Sequence, residues 1–164
     1  MDFKDLKLSL EVQKPSELRK LLRELDNLKN TLQERRLRQD QSISLHLSTK
    51  LAGLFKINNL NYNKEEDIVT LEDFLKNVEA HALFVHFSFN QSPNEQFLTK
   101  LTDWLRNNID PQVLITVGIT NNIGVGFILR STNKYFDFSL GTVLKDKRDI
   151  LTKKIREVDN SVAN

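Results

Sequence analysis

The sequence of 164 residues contains no cysteine and no long apolar run, and each absence excludes a class of protein. Without cysteine the chain forms no disulfide and supplies no thiolate to a metal, which fits a reducing compartment. No uncharged apolar stretch approaches the roughly 18 residues that span a bilayer. The N-terminus, Met1-Asp2-Phe3-Lys4-Asp5, has an acidic residue where a signal peptide has a basic one, and no apolar core of about 7–15 residues follows. We therefore expect a cytoplasmic protein that meets a membrane only through partner proteins.

An excess of charge of one sign is missing as well. The 24 basic and 22 acidic side chains leave a formal charge of +2, so no global field selects nucleic acid or an anionic membrane as partner. The densest basic cluster is Arg35, Arg36 and Arg38. Glu34 and Asp40 dilute this cluster and no aromatic residue interleaves for base stacking, so we interpret it as a solvated helix face.

Residue patterns typical of catalysis or cofactor binding are also absent. The chain has no glycine-rich phosphate loop, no G-x-S-x-G turn and no H-E-x-x-H helix. Of the histidines His46, His81 and His86, the last two would point to opposite faces of a strand. Carboxylates at 65–67 and 72–73 flank a predicted helix start, where negative charge is favourable. We predict no catalytic residue, no metal site, no cofactor and no small-molecule substrate.

The first part of the chain is predicted to be mainly helical. Apolar and polar side chains alternate over residues 6–12, which predicts a short edge strand. A helix with Ser16 as its N-cap is expected next, reaching about Gln41. After an Asn-rich turn, a further short helix is expected to begin at Thr70.

The first helix carries a row of leucines, which we call the leucine row: Leu18, Leu21, Leu25, Leu28 and Leu32. Their spacing of three and four residues places them on one heptad seam of about 22 Å. This row is too short to specify a free-standing coiled coil, so it needs a partner surface. We expect it to dock a helix of another protein. The alternative is that it packs on the chain's own domain or on a second copy.

The second part of the chain shows the pattern of a small mixed sheet with helices. The predicted elements are a strand at Leu83–Phe89, a helix opened by Ser92-Pro93-Asn94-Glu95, a strand at Val113–Ile119, a hairpin of Gly124–Ser131 and Tyr135–Phe138, and a last helix through Leu140, Val143, Leu144, Ile150, Leu151 and Ile155. The predicted buried face of the first of these helices comprises Phe97, Leu101, Trp104 and Leu105. A strand, a helix and a strand in succession imply parallel strands.

The fold class predicted from these elements is α/β (α+β). It consists of a small mixed β-sheet with packed helices, preceded by an N-terminal, short coiled-coil-like helical arm. The predicted domains are a helical arm and connector at 1–80 and an α/β domain at 81–164.

Residues 122–144 read NIGVGFILRSTNKYFDFSLGTVL and resemble the signature of the delta (stator) subunit family of F-type ATP synthases. That signature is a Gly-Gly pair, an apolar strand, a basic residue, a tight turn, Asp-Gly-Ser and a leucine five residues later. The matching residues here are Gly126, Arg130, Asp137, Ser139 and Leu144. Val125 and Phe138 replace two glycines of the signature. The resemblance covers roughly residues 83–158, where the order of predicted elements also matches the family's C-terminal domain.

The resemblance implies a non-catalytic subunit of the peripheral stalk, in the machinery of proton transport and ATP synthesis. Its C-terminal domain would hold the b-type stalk helices, and its N-terminal arm would reach the catalytic head or a stalk helix. It would be peripheral to the inner membrane through the complex. Residues 1–80 are too short to supply the family's six-helix N-terminal domain. The main alternative is a self-associating coiled-coil adaptor or scaffold; a nucleic-acid-binding protein and an enzyme fit the pattern less well.

Two local predictions follow for the signature residues. A glycine inside an apolar strand is otherwise unfavourable, so Gly126 is expected where the backbone approaches too closely for a side chain. Asp137 and Ser139 are expected to end the hairpin and start the last helix, with Ser139 as the N-cap.

Overall fold

The structure is a computed structural model that describes residues 6–38, 45–148 and 152. Five helices and four strands lie within these ranges: α1 Pro15–Arg38, α2 Thr49–Ile57, α3 Glu65–His81, β1 Phe84–Phe89, α4 Glu95–Asn108, β2 Leu114–Ile119, β3 Phe127–Ser131, β4 Tyr135–Asp137 and α5 Leu140–Asp146. This α+β arrangement with a mixed sheet and an N-terminal helix confirms the predicted fold class.

The N-terminal helices pack against one another around the leucine row. Four of the five leucines, Leu18, Leu21, Leu25 and Leu28, are buried, and the fifth packs against the same core. α3 supplies the largest opposing surface, and α2 contacts α1 as well. Three ion pairs, Arg19–Glu79, Lys29–Glu72 and Arg36–Glu65, join α1 to α3 in reversed order, so the two helices are antiparallel. The predicted arm is therefore a helix packed along α3.

The start of α1 differs from the predicted cap. Pro15 is the first helical residue, a position where its fixed φ and missing N–H cost nothing. Glu17 reaches back and accepts hydrogen bonds from the backbone N–H groups of Gln13 at 2.9 Å and Lys14 at 3.1 Å. Ser16 therefore lies inside the first turn, and the prediction that it is the N-cap is wrong. The predicted end at Gln41 lies outside the described residues.

α3 begins five residues earlier than predicted. Its apolar positions Ile68, Leu71 and Leu75 follow helical spacing from the first turn onward and are buried. Glu65 opens the helix, within a run of acidic residues that its positive end favours. Thr70 lies inside the helix and donates its hydroxyl to a backbone carbonyl one turn earlier, so it is not a helix start.

The segment before α1 is not a strand in its described part. The chain turns at residues 10–11, where the N–H of Val12 donates to the carbonyl of Ser9 at 3.0 Å. Leu8 and Val12 are buried in the core of the helices, whereas Leu10 is exposed. Alternation in the sequence therefore reflects a turn that anchors two side chains, and the predicted edge strand is wrong.

Arg106 of α4 holds this segment in place. Its side chain is only 8% exposed and donates to the backbone carbonyls of Leu8 at 3.2 Å, Ser9 at 2.8 Å and Val12 at 2.6 Å. It also reaches the carbonyl of Val113 at 3.4 Å. Burial lowers the pKa of Arg106 to about 10, while nearby Asp103 acts weakly in the opposite direction. The guanidinium is thus a buried cation at neutral pH whose donors bind carbonyls.

α4 turns a different face inward from the predicted one. Asn94 is the observed N-cap and accepts from the N–H of Phe97 at 2.7 Å. The buried residues are Leu98, Thr102, Leu105 and Arg106, whereas Phe97 and Trp104 are exposed. The predicted face is therefore wrong at Phe97 and Trp104, whereas Leu105 is buried and Leu101 is partly buried. The reason is that Thr102 and Arg106 satisfy their polar groups with backbone carbonyls, which allows them to be buried.

The four strands form one sheet in the order β2-β1-β3-β4. The carbonyls of Leu83 and Phe89, at the ends of β1, accept hydrogen bonds from the N–H groups of Leu114 and Thr120 at 3.0 and 2.8 Å. The equal sequence separation of these two pairs is the pattern of parallel strands. β3 is antiparallel to both β1 and β4. The predicted strand–helix–strand unit and hairpin are both present.

The chain divides into two compact units, which we call the helical unit and the sheet unit. The helical unit comprises Met1–Phe84 and Asn94–Thr116, and the sheet unit comprises Val85–Pro93 and Val117–Asn164. The division differs from the predicted domains at 1–80 and 81–164, because α4 belongs with the N-terminal helices. The hydrogen bonds of Arg106 to the N-terminal segment give the physical reason.

Candidate functional site

The start of β3 meets the start of α5 at Gly126. This glycine has φ of +107°, a conformation that side chains disfavour. A Cβ atom placed on it would lie 2.2 Å from the carbonyl oxygen of Phe138 and 2.9 Å from the Cα of Ser139. Two backbone hydrogen bonds close the junction, from Phe138 N to Phe127 O at 2.9 Å and from Leu140 N to Val125 O at 2.8 Å. The predicted close approach at Gly126 is confirmed.

Asp137, Ser139 and Thr142 form a polar network on the other side of this junction. One carboxylate oxygen of Asp137 accepts from the N–H of Ser139 at 2.8 Å, and the other accepts from the hydroxyl of Thr142 at 2.8 Å. The Ser139 hydroxyl accepts from the N–H of Thr142 at 3.4 Å, which is the N-cap contact of α5. The hydrogen bonds from Ser139 and then Thr142 hold the pKa of Asp137 below its ordinary value. The predicted roles of Asp137 and Ser139 are thus confirmed.

The structure brings three of the five signature residues together, namely Gly126, Asp137 and Ser139. Arg130 lies near the opposite end of the hairpin, with its guanidinium 5.3 Å from the ring centre of Tyr135. Leu144 lies one turn into α5 and is 47% exposed. Ile150, Leu151 and Ile155 of the predicted last helix lie outside the described residues.

The strand register separates the sheet unit into two chemically different faces. Directly paired residues lie on the same face of an antiparallel sheet. The register pairs Phe87 with Leu129, and Leu129 with Phe136. We call this side the aromatic face; its members are Phe87, Phe89, Phe127, Leu129, Phe136 and Phe138. The opposite face carries the row His86, Arg130 and Tyr135, which is polar.

Burial across the aromatic face falls from the middle of the sheet to its edge. Phe87 and Phe89 on β1 are buried, and Phe127 on β3 is partly buried. On the edge strand β4, Phe136 is 44% exposed, and Phe138, just beyond it, is 50% exposed. The rings of Phe127 and Phe138 are 5.1 Å apart, and those of Phe136 and Phe138 are stacked at 6.1 Å. The edge of this face is therefore an ordered aromatic surface that solvent reaches.

This surface is not among the features predicted from the sequence, although its signal is present there. Phe136 and Phe138 alternate with Asp137, which is the pattern of a strand with one apolar face. The replacement of a signature glycine by Phe138 adds the second ring. Local alternation predicts the face on which these rings lie, but it does not show that β4 ends the sheet.

The leucine row, by contrast, lies in the helical unit and is occupied by the chain's own helices. Leu25 is fully buried, and Leu18 and Leu21 are almost so. Docking a partner helix on this row would require α1 to leave α3. Of the two interpretations of the row, packing on the chain's own domain is the one that the structure displays.

The polar residues considered for chemistry have structural partners. Glu65 forms an ion pair with Arg36, and Glu72 binds both Lys29 and Lys76, whose hydrogen bond lowers the pKa of Glu72. The ring of His81 is 3.1 Å from a backbone carbonyl of its own helix. Across the described ranges, no group of three or more histidines and carboxylates has the arrangement needed for a metal ion.

A surface hollow with a volume of about 730 Å³ lies beside the start of α3. Its lining comprises Arg36, Asn63, Lys64, Glu65, Glu66 and Val69. Because charges of both signs lie side by side there, the hollow favours neither an anion nor a cation. It adds no candidate for ligand binding to the aromatic surface described above.

Among the described helices, none has the length and apolar character required to cross a membrane. A comparison of the chain with protein-family models gave no match, and a comparison with curated proteins gave none either.

Proposed function

We propose that this protein is a non-catalytic subunit of the peripheral stalk of a rotary F-type ATP synthase, similar to the delta subunit. In this role it links b-type stalk helices to the catalytic head and meets the membrane only through partner subunits. It turns over no small-molecule substrate and needs no cofactor. Its place is the cytoplasmic side of the inner membrane, within the complex.

The observation that carries the proposal is the junction of β3 and α5. Gly126 occupies a position that admits no side chain, and Asp137 and Ser139 join the hairpin to the last helix through hydrogen bonds. These are three of the residues by which the chain resembles the delta signature, and each has a specific structural role. The order β1-α4-β2-β3-β4-α5 also agrees with the order expected from the resemblance.

The physical requirements of a stator also support the proposal. A stator must resist torque, which requires stable surfaces for helices and no reactive groups. The described polar residues that we considered are engaged in caps and ion pairs. The alternative of a self-associating coiled coil depended on a free leucine row, and that row is buried in the helical unit.

The test is affinity purification of the tagged full chain from native membranes solubilised in a mild detergent. We expect membrane-embedded stalk helices and subunits of the catalytic head to be recovered with it. An unrelated tagged protein of similar size and charge is the control for nonspecific recovery. Recovery of the chain alone as a homo-oligomer would favour the adaptor, and recovery of nucleic acid would favour a nucleic-acid-binding protein; either result would overturn the proposal.

A further inference from the structure

The turn that joins β3 to β4 contains a second surface hollow, with a volume of about 370 Å³. We call it the turn hollow. The N–H of Ser131 donates to the carbonyl of Lys134 at 2.8 Å, which closes the turn. The lining consists of six consecutive residues, Arg130, Ser131, Thr132, Asn133, Lys134 and Tyr135. One short stretch of the sheet unit therefore forms the whole hollow.

The side chains that line the turn hollow are basic or neutral, and none is a carboxylate. Arg130 and Lys134 supply two positive charges. The hydroxyls of Ser131 and Thr132 and the amide of Asn133 supply further hydrogen-bond donors. The hollow beside α3 differs, because acidic and basic side chains lie next to one another there. The turn hollow therefore favours an anion.

The two cations of the turn hollow are available to a ligand. None of the ion pairs in the described ranges includes Arg130 or Lys134. The guanidinium of Arg130 lies 5.3 Å from the ring centre of Tyr135, a contact that restricts the side chain without a hydrogen bond. An arginine held in this way loses less entropy when its paired N–H donors bind two oxygens of one group.

The surroundings of Arg130 on the polar face of the sheet add no competing anion. The register places it between His86 of β1 and Tyr135 of β4. Asp137 lies on the same face, two residues beyond Tyr135. Its carboxylate already accepts hydrogen bonds from the N–H of Ser139 and the hydroxyl of Thr142. The carboxylate nearest to the turn hollow along β4 therefore has its own partners.

We infer that the turn hollow binds a terminal phosphate group, that is, the dianion of a phosphate monoester. Two cations match the charge of such a group, which is close to −2 at neutral pH, whereas a phosphodiester carries a single charge. The paired donors of arginine fit phosphate oxygens, and lysine adds a point charge. The inference goes beyond the proposed function, because it concerns the binding of a small anion without turnover.

The experiment is an amide NMR titration of the full chain with glycerol 3-phosphate at constant ionic strength. It is made at about pH 8, where the monoester is almost fully dianionic. We expect saturable shift changes at residues 130–135. Dimethyl phosphate, a diester with one charge, should bind about fivefold or more weakly. Absence of changes at residues 130–135, or equal affinity for the two compounds, would overturn the inference.

Substitutions of single cations test the site further. Arg130→Gln should weaken glycerol 3-phosphate about tenfold or more, because the paired donors are lost. Arg130→Lys keeps the charge and should give an intermediate affinity. Lys134→Gln should weaken binding about threefold or more. Lys145→Gln removes an exposed cation of α5 and should change the affinity less than about twofold. Equal weakening by the Arg130, Lys134 and Lys145 variants would show a nonspecific charge effect and overturn the inference.

The source of the phosphate group is distinguished with further probes. Phosphatidylcholine vesicles with and without phosphatidylinositol 4-phosphate test a lipid headgroup, and ATP tests a soluble nucleotide. Each carries a terminal phosphate, so binding of either that Arg130→Gln weakens supports the site and assigns the source. Oligo(dT) that binds more tightly than glycerol 3-phosphate would assign the turn to nucleic acid and overturn the inference. Circular dichroism melting identifies any variant that fails to fold, and the membrane purification tests the proposed function separately.

Discussion

The helical unit buries the leucine row of α1, whereas the sheet unit leaves the rings of Phe136 and Phe138 about half exposed. In the helical unit, α1 is covered by α3 and α2, and the leucine row is buried almost completely. In the sheet unit, apolar residues from Ile119 to Leu144 remain exposed along β4, the turn before β3 and α5. Phe97 and Trp104 of α4 in the helical unit are exposed as well. The contrast therefore holds between the leucine row and the hairpin, and not between all apolar side chains of the two units.

The two units also differ in the polar residue that anchors each of them. Arg106 is buried in the helical unit, where its donors bind the backbone carbonyls of the segment before α1. Asp137 lies in the sheet unit, partly exposed, and binds Ser139 and Thr142 next to it in sequence. One anchor joins distant parts of the chain, and the other organises a local junction. Loss of the first should therefore destabilise the protein more.

The largest expected effect tests whether the leucine row is core. Leu25→Asp places a charge at a fully buried position of α1. We expect it to destabilise the helical unit by more than about 4 kcal/mol, because the leucine contacts are lost and an unpaired charge is buried. Urea unfolding followed by far-UV circular dichroism measures the change. The matched control is Leu37→Asp on the same helix, where the side chain is 84% exposed, and it should change stability by less than about 0.5 kcal/mol.

If Leu25→Asp retained the stability of the unsubstituted chain, the row would be a free docking surface, and the comparison between the units would fail.

The next effect concerns the anchor of the N-terminal segment. Arg106→Met keeps the length of an apolar stem but removes every donor to the carbonyls of Leu8, Ser9 and Val12. We expect a loss of about 3 kcal/mol, since buried carbonyls are left without partners. Hydrogen exchange at Val12 and chemical denaturation measure it. Arg19→Met, which removes one exposed ion pair with Glu79, is the control and should cost less than about 1 kcal/mol.

Equal losses of unfolding free energy in Arg106→Met and Arg19→Met would mean that burial of Arg106 adds nothing to its anchoring role.

The third effect separates two glycines of the same turn. Gly126→Leu meets both a positive φ and the backbone of Phe138, so we expect a loss of about 2–3 kcal/mol in the sheet unit. Gly124→Ala meets no atom within 4 Å and has no positive φ, and it should change stability by less than about 0.5 kcal/mol. Thermal unfolding monitored by near-UV circular dichroism compares them. An unchanged melting temperature for Gly126→Leu would remove the structural support for the signature match.

A smaller effect is expected at the cap of α5. Ser139→Ala removes the hydroxyl that accepts from the N–H of Thr142, which should cost about 0.5–2 kcal/mol. Ser139→Asp, which restores an acceptor at the N-cap, should recover most of the loss. Amide exchange at Thr142 reports the cap directly. If Ser139→Asp did not recover stability, the Ser139 hydroxyl would not act as the N-cap of α5.

The smallest expected effect is a dependence of the unfolding free energy on pH, which arises from Glu17 in the helical unit. Burial would raise the pKa of Glu17, but the hydrogen bonds from Lys50 and from the N–H groups of Gln13 and Lys14 outweigh it and hold the pKa below its ordinary value. The stabilisation is therefore complete above the unfolded pKa and is lost as the pH falls through the lower folded pKa. Glu17→Gln should flatten the fall in unfolding free energy between about pH 5 and pH 3.

Urea unfolding across this pH range measures the slope for the Glu17 variant. Lys50→Met should flatten the slope in the same way, since it removes the cation that binds Glu17. A slope that neither substitution alters would place the acid sensitivity in other carboxyl groups.

Much of the fold could be predicted because its signals are local. The alternation of β1, the turn between β3 and β4, and the approach at Gly126 depend on a few neighbouring residues. The start of α3 was predicted too late because Thr70 mimics a cap, although the apolar spacing continues upstream of it. The face of α4 was predicted wrongly because a buried arginine is recognisable only when the carbonyls that receive its donors are known.

The sequence by itself determined the strands of the sheet and the junction residues of this protein, since strand alternation and the turns there depend on neighbouring residues. Only the tertiary structure decided which apolar surface is covered. The leucine row and the alternating pair Phe136 and Phe138 are both apolar patterns in the sequence. α3 of the same chain covers the first, whereas Phe136 and Phe138 remain about half exposed. Burial depends on what the rest of the chain places nearby, and no local pattern contains that information.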